Sequence, residues 1–280
     1  MTGNIKAIRT RIKSVESTCH ITRAMQLVAS SKMRVATMRM EKSKNFFRAV
    51  QEAFGEIAAR GCDSVYMKER PVVKRCLIII AGDRGLAGGY NANIFRAVRA
   101  NKYDVKSVIA IPIGKRACDF CRTEGYECAA EYESVEAFGG EDAVKLADTV
   151  RTLFRDGGAD TVELFYTEYV SALTQTARQE TILPIKPTGE TARRGAAETV
   201  YEPDPVTVFD AVIPQYLTGY LVGAVGYSFA SETAARRNAM DSATGNAEEM
   251  IETLSLAYNR ARQGAITQEI TEIVAGSTQA

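Results

Sequence analysis

A glycine-rich turn, Gly82-Asp83-Arg84-Gly85-Leu86-Ala87-Gly88-Gly89, follows an apolar run at residues 72–80 that reads as a buried strand. A strand, a glycine turn and a helix N-terminus can together cradle a phosphate, because free backbone N–H groups converge there. The spacing here does not meet that requirement: G-x-G-x-x-G is absent and no Gly-Lys-Ser/Thr follows. The turn is read instead as a tight strand-to-helix connection that exposes Asp83 and Arg84 to a partner. Cys118-x-x-Cys121, with Cys128 further on, has the look of half a zinc or redox site. Structural zinc takes four ligands, and no second half-site is in view, so three packed free thiols fit better. His20 is the single histidine. That makes a multi-histidine metal site or a Ser-His triad hard to build, and its place on a predicted helix reads as solvated or partner-facing. No pair of acids has a spacing that forces general acid–base work, and no nucleophile has a base beside it. The cations Lys32, Arg34, Arg39, Lys42, Lys44 and Arg48 form a solvated face, or one that attracts an acidic partner or nucleic acid. Met33, Met38 and Met40 read as core filling. No cofactor and no metal are expected.

The elements that position these residues are set by proline. All seven prolines lie between Pro71 and Pro214, leaving both ends free of them. Proline lacks an amide donor and clashes with the preceding helical turn, so both ends are free to be long helices. A helix of about 55 residues is roughly 80 Å long, whereas a compact chain of this size has a radius of gyration of about 19 Å. Two such helices are expected to project from the body and lie against each other. The N-terminal segment carries a heptad seam at Ile5, Ile12, Cys19, Gln26, Met33, Met40, Phe47 and Phe54, with a second row at Ile8, Val15, Thr22, Ala29, Ala36, Ser43, Val50 and Ile57. Such a sustained repeat is a coiled-coil signal. Thr22 and Gln26 interrupt it in neighbouring turns, where polar residues fix register or mark a partner site. The C-terminal segment offers a small-residue seam at Met240, Ala243, Ala247, Met250, Leu254, Ala257, Ala261 and Gly264, and an apolar stripe at Ile266, Ile270 and Ile273. Charge is also divided: residues 1–60 carry +8 and residues 215–280 carry −3, in a chain of net charge +1. Opposite signs favour antiparallel pairing and leave a basic N-terminal face.

The middle of the chain alternates strand and helix. Strands are expected at residues 72–80, 107–111 (stopped by Pro112), 161–167 and 181–185, and helices near residues 91–93 (capped by Asn91 or Asn93), 115–123 and 142–155. This pattern implies an α/β layer with a largely parallel, Rossmann-like sheet, followed by an exposed loop over residues 186–204. The expected organisation is an N-terminal coiled-coil helix (1–60), an α/β domain (61–204) and a C-terminal coiled-coil helix (205–280). No membrane span and no signal peptide are expected, and the six cysteines are expected to be free thiols.

The ends also carry motifs. Ile21-Thr22-Arg23-Ala24-Met25 with Val28-Ala29-Ser30-Ser31-Lys32-Met33 resembles the N-terminal signature of the ATP synthase gamma subunit family. Ala230-Ser231-Glu232-Thr233-Ala234-Ala235-Arg236 and the run from Tyr258 through Ile270 resemble its C-terminal signature, and Asp83-Arg84-Gly85-Leu86-x-Gly88-Gly89-Tyr90-Asn91 resembles its central motif. The resemblance spans essentially the whole chain. It implies a central rotor shaft of the F-type ATP synthase that does no bond chemistry. Its terminal helices would form an antiparallel coiled coil inside a ring of three alpha and three beta subunits. Its α/β domain would contact the epsilon subunit and the c-subunit ring, with a delta subunit elsewhere in the complex. The expected location is peripheral, at the cytoplasmic face of the bacterial inner membrane. By matching position, Met25 and Lys32 would face the beta subunits, Arg262 and Gln263 would meet the beta loops that catch the shaft, and Gln268 and Glu269 would lie in the upper bearing. Tyr201 and Glu202 resemble part of the loop touching the c ring and epsilon. Ala87 stands where many relatives carry cysteine, and the Cys118, Cys121 and Cys128 group is not a family feature. A dinucleotide-dependent enzyme and a basic nucleic-acid binder are the competing readings. The rotor reading expects no nucleic acid and no direct small-molecule substrate.

Overall fold

Uninterrupted by proline, the N-terminal segment forms a single helix, α1 (Thr2–Ala59). It is followed by β1 (Arg75–Ile80), α2 (Tyr90–Ala100), β2 (Val108–Ile113), α3 (Lys115–Glu124), β3 (Glu127–Cys128), α4 (Gly140–Arg155), β4 (Thr161–Tyr169), β5 (Gln175–Leu183) and α5 (Pro205–Ser277). The computed structural model describes the backbone of residues 2–59, 63–186 and 202–277, and their side chains except at residues 2–4, 43–59, 272 and 275–277. Cys62, Tyr201, residues 187–201 of the expected loop, and the seam side chains Ser43, Phe47, Phe54, Val50 and Ile57 lie outside the described residues. The chain divides into two compact units, one of residues 1–30 with 236–280 and one of residues 31–235.

The larger unit is built on a five-stranded sheet in the order β3-β2-β1-β4-β5. The first four strands are parallel, and β5 runs antiparallel to β4. Successive side chains of a strand point to opposite faces, so β1 feeds two cores at once. Ile78 and Ile80 join one core with Leu146, Val150 and Phe154 of α4 and Phe209, Ile213 and Leu217 of α5. Leu77 and Ile79 join the other with Ile94 and Val98 of α2 and Phe120 of α3. A strand buried on both faces reads as a continuous apolar run, which is why this one was legible in the sequence.

Several expectations are corrected. Residues 72–74 are not strand; Val73 and Lys74 instead donate their N–H groups to Asp160 Oδ2, each at 2.9 Å. Pro112 does not stop β2. Its carbonyl accepts from Tyr132 N–H at 3.0 Å, and β3 has already ended at Cys128, so the missing proline donor leaves no ladder bond unmade. Neither Asn91 nor Asn93 caps α2, which starts after Gly89 without a side-chain cap. Asn91 Oδ1 accepts from Gly82 N–H at 2.8 Å instead. The last strand is nine residues long rather than five; its polar half pairs with β4 as an edge, so apolar content understated its length.

At the start of α5 the Asp204 carboxylate accepts the N–H groups of Val206 and Thr207, each at 2.9 Å, with Pro205 in the first turn. By length and composition alone, α5 holds one window apolar enough to cross a membrane, and 44% of that window is buried in the protein. The apolarity there serves the sheet core through Phe209, Ile213, Leu217 and Leu221.

The smaller unit pairs the first half of α1 with the last part of α5. Every expected seam position of α1 in it, from Ile5 to Ala29, is buried or half-buried. Its partners run in the opposite chain direction: Gln26 Nε2 donates to Asp241 Oδ1 at 2.6 Å, and Arg23 pairs with Glu248. The α5 seam is corrected in phase. Thr244, Ile251, Tyr258 and Ala265 turn inward with Met240, Ala247, Leu254 and Ala261, while Met250, Ala257 and Gly264 face out. Both phases have 3-4 spacing. The observed one covers the larger Ile251 and Tyr258 and brings Thr244 to Thr22.

Candidate functional site

In an open α/β sheet, ligands bind outside the carboxyl ends of the strands where the strand order reverses. Here that point lies beside β1, between β1 and β4. The pairing of Ile79 with Phe165, continued two places, sets Ala81 level with Thr167. The crevice is filled by the chain itself. Thr167 N–H donates to Ser228 Oγ at 3.2 Å, and Ser231 Oγ donates to the Thr167 carbonyl at 3.2 Å. Glu232, also on α5 and only 3% exposed, lies so close to Gly82 that a Cβ there would sit 2.8 Å from its Cδ. A buried acid and two hydroxyls occupy the place a phosphate would need, and the acid would repel one. The dinucleotide reading has no site here.

Asp83 is not presented to a partner as expected. Its carboxylate accepts Ser134 Oγ and Val135 N–H, each at 2.8 Å, so it is half-buried and holds a loop of its own chain. Arg84 is exposed. Two cations of the basic row on α1 also turn to that loop. Lys32 Nζ lies 2.6 and 2.8 Å from the Glu136 carboxylate oxygens, and Arg39 donates to the Phe138 carbonyl at 2.6 Å. Sequence reading missed this, because the partners lie about a hundred residues away and no local pattern links them.

The thiols of Cys118 and Cys121 are buried and that of Cys128 half-buried, with Cys128 Sγ donating to the Tyr126 carbonyl at 3.8 Å. Burial pushes the Cys118 thiol up to about 11, and raises Cys121 and Cys128 as well. Thiols held protonated are poor nucleophiles and poor ligands. Among the described residues no group of histidine, cysteine and acid side chains is placed to hold a metal.

Of the residues singled out for partner contact, Met25 and Lys32 are half-buried, and Arg262, Gln263, Gln268, Glu269 and Glu202 are exposed. Tyr201 lies outside the described residues. His20 is exposed, and Met38 is too, whereas Met33 and Met40 are covered. Sequence reading also missed an apolar set off the seam: Ile21, Leu27 and Val28 on α1 and Leu256 on α5 are all more than half exposed, and Leu27 reaches 68%. The signal that finds them is an apolar residue at a position the heptad assigns to solvent.

The family model for ATP synthase matches residues 4–279. The chain is 44% identical over 281 residues to the ATP synthase gamma chain of Ruminococcus albus, covering 98% of each chain. It is 38% identical to the sodium ion specific ATP synthase gamma chain of Acetobacterium woodii, covering 99% of each. The fold is similar to a chain of the Euglena gracilis mitochondrial ATP synthase in an OSCP/F1/c-ring structure, rotational state 3. The TM-score there is 0.75 at 18% identity, over 99% of this chain and 95% of that one. The rotor of the same enzyme in rotational state 1 gives a TM-score of 0.71 at 17% identity, over 95% of this chain and 100% of that one. On the family match and the full-length identities, the chain belongs to the ATP synthase gamma chain family.

Proposed function

We propose that the paired ends of this chain turn inside a ring of three alpha and three beta subunits, while residues 61–204 meet the epsilon subunit and the c-subunit ring. A delta subunit completes the complex. As a gamma chain it is the central stalk of the F-type ATP synthase, coupling rotation to ATP synthesis and hydrolysis without being the catalytic subunit. The complex is membrane-associated, and the proposed place of this subunit is peripheral, at the cytoplasmic face of the bacterial inner membrane.

The observation that carries the partner assignment is the apolar side chains left outside the helix pair: Ile21, Leu27 and Val28 on one helix, Leu256, Ile266, Ile270 and Ile273 on the other. Exposed apolar residues that recur along a helix mark a contact surface. Apolar contacts are non-directional, so they suit a shaft whose neighbours change as it turns. Arg262, Gln263, Gln268 and Glu269 sit among them as exposed polar groups, fit for charge-assisted contacts that break and re-form. Met25 and Lys32 are read as facing the beta subunits, and Tyr201 and Glu202 as belonging to the contact with the c ring and epsilon.

Purification of the tagged chain from its native membrane tests this. Stoichiometric recovery of alpha and beta subunits is expected, and loss of alpha and beta after replacing Leu27, Val28 and Ile270 by aspartate. Recovery of the chain without alpha and beta subunits would overturn the assignment.

A further inference from the structure

The loop of residues 134–138 is gripped from two sides. From the sheet, Asp83 in the turn after β1 holds Ser134 and Val135. From α1, Lys32 holds the Glu136 carboxylate and Arg39 holds the Phe138 carbonyl, with a longer contact of 3.4 Å to the Glu136 carbonyl. Lys32 and Arg39 are seven residues apart, two helical turns on one face. Val135 and Phe138 are themselves buried in the core shared by α4 and α5, so the loop is fixed along its length.

The same turn is pinned on its other side. Gly82 donates its N–H to Asn91 Oδ1 at 2.8 Å and accepts Arg116 N–H at its carbonyl at 3.1 Å. Its missing side chain lets Glu232 of α5 close against it. The carboxyl end of the central strand thus touches α5 directly and α1 through one loop. Among the described residues, the other contacts between the sheet and these helices are largely apolar packing, joined on α5 by the hydrogen bonds of Ser228 and Ser231 with Thr167 and of Tyr220 with Glu180. Packed apolar surfaces resist separation but permit small sliding movements. Charge-assisted hydrogen bonds have a preferred direction, so they resist sliding.

We propose that the turn at Gly82 and Asp83, with the loop 134–138, is the coupling that passes torque between the sheet and the helices α1 and α5. Asp83, Arg39 and Glu136 act in it as positioning residues. This gives the glycine motif a mechanical role in place of phosphate binding. The inference rests on the rotor reading above.

The test uses the whole ATP synthase, immobilised by its beta subunits, with a bead attached to the sheet domain at Lys102. Two quantities are read: the angular spread of the bead while the catalytic sites are paused, and the rotation rate under viscous load. Asp83→Asn and Arg39→Ala are expected to widen the angular variance by about twofold, since each removes a charge-assisted bond. They should slow loaded rotation and leave unloaded ATP hydrolysis unchanged. Lys32→Glu alone should widen the spread, and Lys32→Glu with Glu136→Lys should restore it, an outcome that a general loss of stability does not produce. Unchanged spread and loaded rate in the assembled single variants would overturn the proposal. So would failure of the charge exchange to narrow the spread, and this arm decides if Arg39→Ala does not assemble. Wild-type complex whose bead does not rotate at all would instead refute the rotor reading itself.

Discussion

Thr22 Oγ1 and Thr244 Oγ1 lie 2.7 Å apart across the helix pair, with the two residues 8% and 6% exposed. Each hydroxyl also reaches a carbonyl of its own helix: Thr22 that of Cys19 at 3.1 Å, and Thr244 that of Met240 at 2.8 Å. Two polar residues in an apolar seam therefore satisfy each other at one register only. One helical turn along, Gln26 meets Asp241, so two polar pairs set the alignment. A seam of small apolar residues would otherwise slip, because alanine meets alanine at many offsets.

Replacing either threonine by valine is expected to cost about 1 kcal/mol, since the remaining hydroxyl keeps its intrahelical carbonyl. Thr22→Val with Thr244→Val together should be close to neutral in thermal stability, because no polar group is then left buried alone. The double variant should nonetheless couple less tightly, through loss of register. A double-mutant cycle on the melting temperature, run beside ATP-driven ion pumping, separates the two effects. Equal pumping in the double variant and the wild type would remove the register role.

Gly114 opens α3 with φ +98°, and a Cβ there would lie 2.0 Å from the Ala81 carbonyl oxygen. That carbonyl belongs to backbone, so nothing flexible can give way. Gly114→Ala is expected to destabilise the sheet unit by at least about 2 kcal/mol, visible as a lower unfolding midpoint in urea. A midpoint within error of wild type would show that the close approach of the β1 and β2 ends is not required.

Asp160 supplies the pH dependence. The backbone N–H groups of Lys74 and Val73 hold its carboxyl below the usual carboxylate range. A depressed folded pKa gives stability that is fully present above the unfolded value of about 3.9 and is lost as pH falls through the folded value. Asp160→Asn keeps an acceptor oxygen and removes the charge. The variant is expected to be less stable than wild type at pH 7, with the gap closing as pH falls below about 4. Urea unfolding at pH 7 and pH 3 measures it; a gap that persists at the lower pH would point to lost packing instead.

The parts legible in the sequence were those governed by local period. The α1 seam needed only the heptad, and β1 needed only a run of Leu77, Ile78, Ile79 and Ile80. The α5 seam was misjudged because alanine fits either face, so the phase is decided by Ile251, Tyr258 and the Thr22 partnership, which is non-local. Asp83 was misjudged for the same reason: a carboxylate in a glycine turn looks exposed until Ser134 and Val135, some fifty residues on, are brought to it. Pro112 misled because its usual effect depends on a neighbouring strand that here has ended.

Arg262 and Gln263 are adjacent, exposed and off the α5 seam, so neither contributes to the helix pair's apolar contact. The Gln263 backbone carbonyl accepts Thr267 Oγ1 at 2.9 Å, a contact that does not involve its side chain. Alanine has the higher helix propensity, so Arg262→Ala with Gln263→Ala should leave the melting temperature unchanged or slightly raised. If these side chains engage the beta subunits, ATP synthesis should fall by roughly tenfold, the loss expected when one or two charge-assisted contacts are removed, while alpha and beta still co-purify. Helicity by circular dichroism, subunit stoichiometry and synthesis rate in reconstituted vesicles are the three readings required. A normal synthesis rate with normal stoichiometry would place the catch between shaft and sleeve elsewhere, with Ile266 and Ile270 next in line because they stand exposed one and two turns further along the same helix.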